Sequence, residues 1–72
     1  MKTNKMPFDA ASFQVMYVGR FDGRDAYAVF MTQEDGKVVQ IKDTVRYAAS
    51  QANGIARNLA QYDAVPWYGY IG

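Results

Sequence analysis

Between Phe13 and Ile41 the chain runs through strand-like, largely apolar stretches separated twice by an Asp-Gly pair, at Asp22-Gly23 and at Asp35-Gly36. A period of two places successive side chains on opposite sides of a strand. An Asp-Gly pair between two such runs is a strong hairpin signal, because both central residues of the favoured turn need positive φ. The pattern therefore predicts a three-stranded antiparallel meander. A two-residue loop at Asp22-Gly23 pairs Arg20 with Asp25, Val18 with Tyr27, Tyr17 with Ala28, Met16 with Val29 and Val15 with Phe30. A second such loop at Asp35-Gly36 pairs Glu34 with Lys37, Thr32 with Val39, Met31 with Gln40 and Phe30 with Ile41. Opposite charges then meet beside each turn, a contribution of a few tenths to about 1 kcal/mol per pair that favours this register over a one-residue slip.

This register assigns every side chain to a face. Phe13, Val15, Tyr17, Ala28, Phe30, Thr32, Val39 and Ile41 share the face expected to be the core, while Met16, Val18, Arg20, Tyr27, Val29, Met31, Val38, Gln40 and Lys42 share the other. Both faces are largely apolar.

At Asp43-Thr44 the period changes. Either residue can cap a helix whose apolar positions Val45, Ala48, Ala49, Ala52, Ile55, Ala56, Leu59 and Tyr62 follow a 3.6-residue spacing. Gly54 falls in its middle and signals tight packing, a kink or an earlier end. Residues 1–12 read as a loosely held arm. After Asp63 the segment from Val65 to Gly72 is rich in aromatic groups, and Pro66 confines any strand there to a sheet edge or to a start just after it, which predicts a short fourth strand over 67–71. The expectation is one α+β domain over residues 1–72. It has a β-β-β-α core at 13–62, a sheet of three or four strands, an aromatic tail at 65–72 and one helix on one face.

One helix can cover only one side of a sheet. Its alanine-rich stripe suits close approach to the face chosen as core, and the opposite face is left to be covered by the termini or by a partner. The composition sharpens this expectation. Seventy-two residues bury only roughly 60 to 65% of their unfolded surface. With no cysteine and no histidine, disulfides are closed to the chain and a structural metal is not expected, so self-association is the remaining common source of added stability. No apolar run resembles a signal peptide or membrane span, so a soluble, cytoplasmic protein is expected.

Catalysis finds little to work with. Without His or Cys the available groups are carboxylates, lysines, tyrosines and hydroxyls, and most carboxylates already have turn, pairing or capping roles. No glycine-rich phosphate loop or calcium-loop spacing is present, so neither enzyme nor cofactor is expected. The expected working surface is a homodimer or partner interface made by Met16, Val18, Tyr27, Val29 and Met31, extended by Trp67 and Tyr68, since Met and the large aromatics are typical of adaptable and anchoring contacts. The alternative is nucleic-acid binding through Arg20, Arg24, Lys37, Lys42, Arg46 and Arg57, with Arg46, Ser50, Asn53, Arg57 and Gln61 on the polar helix face. Eight cations against seven anions leave a net charge of only +1, little for a nucleic-acid binder.

Three strands followed by one helix resemble, in architecture, the small sheet-reading DNA-binding domains of the AP2 and integrase arm-binding types. That likeness implies a sheet face set into the major groove, where this chain offers Arg20, Arg24, Lys37 and Lys42 among many apolar groups. In size and style the chain is also similar to compact phage-type inhibitors of host machinery such as the anti-CRISPR proteins. The function expected is that of a non-catalytic protein-binding module that homodimerises or masks a surface of a larger complex.

Overall fold

The computed structural model describes residues 10–70. Strands β1 (Ala10–Phe21), β2 (Arg24–Gln33) and β3 (Val38–Gln40) are followed by helix α1 (Ala49–Asp63) and a short β4 (Trp67–Tyr68). They form an α+β unit whose sheet order is β3-β2-β1-β4. β1 is antiparallel to β2, β2 antiparallel to β3, and β4 joins β1 in parallel at Phe13 and Gln14. The helix lies across one side.

The first turn forms as expected, with Asp22 and Gly23 both at positive φ and Arg20 opposite Asp25. Two residues further along β1, at Val18, the expected register fails. Val18 and Gly19 together face Ala26, so Tyr17 meets Tyr27, Met16 meets Ala28, Val15 meets Val29 and Phe13 meets Met31. The extra residue is a β-bulge, and Gly19 at φ 112 supplies the backbone geometry it requires.

The second turn also departs from expectation, by one residue. Gln33 closes on Lys37, with the Gln33 N–H donating to the Lys37 carbonyl at 2.7 Å and the Gly36 N–H donating back to the Gln33 carbonyl at 2.8 Å. Only Gly36 has positive φ there, and the Asp35 carboxylate accepts from the Lys37 N–H at 2.9 Å. This is a three-residue loop, and Thr32 pairs with Val38 and Met31 with Val39.

The two one-residue shifts cancel for β3 and invert β2 alone. The covered face therefore carries Phe13 and Val15 from β1 as expected, but Val29 and Met31 from β2, all between 0% and 5% exposed. Ala52, Ala56 and Ala60 of α1 close over them, with Val39, Ile41, Ile55, Leu59 and Val65 around the margin.

Helix α1 starts at Ala49 rather than at Asp43 or Thr44. The intervening segment continues along the edge of β2: Ile41 N–H donates to the Val29 carbonyl at 2.9 Å, and Tyr27 and Arg46 exchange two backbone hydrogen bonds of 2.8 Å. Between these contacts Asp43, at φ 62, turns the chain and buries Thr44. Its hydroxyl donates to the Ile41 carbonyl at 2.7 Å and accepts from the Val29 N–H at 3.1 Å. A side chain thus replaces a missing ladder bond, which is why two good capping residues cap nothing here. The helix ends on Ala64 in the left-handed region, whose N–H and that of Val65 satisfy the Gln61 and Ala60 carbonyls.

Candidate functional site

The open side of the sheet is built from alternate residues of all four strands. Ser12, Gln14 and Met16 of β1, Ala28, Phe30 and Thr32 of β2, Val38 and Gln40 of β3, and Tyr68 of β4 all project from it by register. None of these carries a charge, and Arg24 lies on the same side at the hairpin end of β2. Met16 is 36% exposed, Val38 51% and Tyr68 60%, and Phe30 is half-buried between them. The Gln14 side-chain amide donates to the Thr32 hydroxyl at 3.0 Å, tying β1 to β2 across the middle. Helix α1 packs on the opposite side, and on this one Ala28 is 0% exposed between its larger neighbours.

Of the residues expected to form a binding surface, Met16 and Tyr68 are on the open face. Val18 sits half-buried in the bulge. Val29 and Met31 are a correction: the bulge turns them inward beneath α1. Tyr27 also points to the helix side, where its ring makes an edge contact with Tyr17 at 5.8 Å and a tilted one with Tyr70 at 5.0 Å. Trp67 packs against the core margin rather than joining Tyr68. Phe30, expected inside, is the large open-face residue that the unbulged register misplaces. Gly19 is the signal that could have found it, since an isolated glycine in an alternating strand often marks a bulge.

The alternative cation set divides. The Arg20 guanidinium donates to the Gly23 carbonyl and lies 4.0 Å from Asp25. Arg24 stacks over the Tyr47 ring at 4.0 Å, and Arg46 donates to the carbonyls of Asp43 at 3.1 Å and Val45 at 2.8 Å. Lys37, Lys42 and Arg57 are exposed on three different elements, a loop, the β3–α1 connection and the helix. The arrangement makes no continuous basic track. At the hairpin end, partial desolvation first and then the hydrogen bond to Asp25 at 3.1 Å raise the Tyr17 hydroxyl pKa above its ordinary value.

A second concave feature lies between α1 and β4. Ser50, Asn53, Gly54, Arg57 and Trp67 line a cleft of about 230 Å³. Asn53 holds the tail in place by accepting from the Tyr70 N–H at 2.9 Å and donating to its carbonyl at 3.5 Å. Gly69 passes so close that a β-carbon there would sit 3.1 Å from both the Asn53 Oδ1 and the Trp67 ring. Gly54 is different. A β-carbon on it would meet nothing within 4 Å, and the helix runs through it to Asp63, so neither tight packing nor an early end accounts for it. In a helix interior glycine costs about 0.8 to 1 kcal/mol relative to alanine.

Among the described residues no three His, Cys, Asp or Glu side chains are grouped to hold a metal ion, and no helix is long and apolar enough to cross a membrane. No protein-family model matches the chain, and no significant match is found among curated proteins or solved structures.

Proposed function

We propose that the protein acts without chemistry of its own, as a protein-binding module whose working surface is the open side of the sheet, and that its first partner is a second copy of itself. The observation that carries this reading is the pairing of one covered face with one partly apolar face bearing Met16, Phe30, Val38 and Tyr68, with Arg24 only at its hairpin end. A two-fold interface sets each residue against its own surroundings, and the part of this face from Met16 to Val38 holds no charge to repel a second copy, Arg24 lying at the hairpin end. Small domains also gain from association what their cores are too small to supply. The same face can mask a site on a larger complex, the mode of a phage-type inhibitor, with Met16 and Phe30 as adaptable contacts and Tyr68 as an anchor.

Nucleic-acid binding draws less support, because Arg20, Arg24 and Arg46 are engaged within the chain and the other three cations stand apart. Sedimentation over a range of concentrations tests the self-association reading. The chain of 8.1 kDa should approach twice that mass as concentration rises, and Val38→Asp should return it to one chain's mass with an unchanged circular dichroism spectrum. A wild-type mass that stays at one chain throughout contradicts it.

A further inference from the structure

The cleft between α1 and β4 is bounded on three sides by groups with partners elsewhere in the fold and on the fourth by a cation. Trp67 is held by the pairing of β4 with β1 and by packing at the core margin, Asn53 by its two contacts with the Tyr70 backbone, and the floor is the bare helix backbone at Gly54. Ser50 stands one helical turn before that floor and Arg57 one turn after it, so a hydroxyl, a spare amide N–H of Asn53 and a guanidinium converge above Gly54. Three donors approaching from different directions suit the oxygens of a tetrahedral phosphate better than the two of a carboxylate. The indole beside them is a stacking platform for a flat ring.

From this geometry we propose that the cleft binds a nucleoside monophosphate, the phosphate seated over Gly54 between Ser50, Asn53 and Arg57 and the base stacked on Trp67. The absent β-carbon at residue 54 has a purpose in this arrangement. No neighbour needs the space and the helix would be more stable with alanine, so an occupant of the cleft is what the bare floor serves. The cleft, at about 230 Å³, is below the usual range for ligand sites of about 300–1,000 Å³, so it encloses only part of the nucleotide. This site is independent of the open sheet face. With one cation it suits a single nucleotide and not a polynucleotide.

Trp67 is the only tryptophan, so its fluorescence reports on the cleft directly. Titration of the full chain with adenosine 5′-monophosphate should quench it saturably, with a Kd on the order of 1 mM or tighter. Adenosine alone and inorganic phosphate alone should each bind at least tenfold more weakly. Gly54→Ala separates the proposal from a structural account: it should raise the melting temperature and weaken nucleotide binding at least tenfold, and Arg57→Gln should weaken binding similarly with the fold intact. Quenching that stays linear in nucleotide, or a Gly54→Ala protein that binds as wild type does, overturns it.

Discussion

The two sides of this sheet are made from the same kinds of residue, yet they meet different fates. On the covered side Phe13, Val15, Val29 and Met31 are almost wholly removed from water beneath a stripe of alanines. On the open side Met16, Val38 and Tyr68 keep a third to more than half of their surface. Hydrophobicity alone does not distinguish them, since Val29 and Val38 are chemically identical. What decides is register, and register is set by backbone geometry at Gly19 and Gly36. The comparison teaches that in a small sheet a single inserted residue chooses which apolar groups become core and which become surface.

Substitutions should therefore separate the faces by size of effect. The largest is expected on the covered side, where Phe13→Ala leaves a cavity under α1 and should cost about 3–5 kcal/mol in urea unfolding, much of the stability of a domain this small. Two changes of backbone support come next, each at about 1–3 kcal/mol. Gly19→Ala forces a β-carbon into a strongly positive φ at the bulge. Thr44→Val leaves the buried Val29 N–H without its acceptor. On the open side Val38→Asp should change stability by no more than about 0.5 kcal/mol while abolishing association, so equal losses on both faces would break the distinction.

The smallest effect concerns the hairpin end. The folded state raises the Tyr17 pKa above 10.0, chiefly through partial desolvation and secondly through Asp25. The neutral hydroxyl is the form the folded chain prefers, so its contribution is complete below pH 10 and is lost as pH rises through the folded pKa. Tyr17→Phe should flatten that part of the stability profile, and an unchanged alkaline slope in the variant would assign it elsewhere.

Much of this architecture was legible in the sequence. The Asp22-Gly23 turn, the Arg20–Asp25 pair, the single helix with its alanine stripe and a short strand after Pro66 all follow from local chemistry and periodicity. The sequence reading lost the register of β2, because it gave Gly19 no bulge and placed Glu34 in the strand, and Asp35-Gly36 suits a two- or three-residue loop equally well. It also placed the helix start too early, since Thr44 is as good a hydrogen-bonding partner for an open strand edge as for a helix end. As a result the open face was anticipated in kind and misassigned in part: Met16, Val38 and Tyr68 are there, whereas Val29 and Met31 gave way to Phe30. The cleft residues Ser50, Asn53 and Arg57 were visible as one polar helix face, but nothing local in sequence brings Trp67 beside them.

Everything said of the two faces depends on the partner of each β1 residue on β2, and nuclear Overhauser contacts between α-protons read this without mutation. Phe13 with Met31 and Val15 with Val29 are opposed pairs on the covered side, and each should give a strong cross-strand α-proton contact. A strong contact from Val15 to Phe30 instead, as an unbulged two-residue hairpin requires, would contradict the account and exchange the covered and open residues of β2.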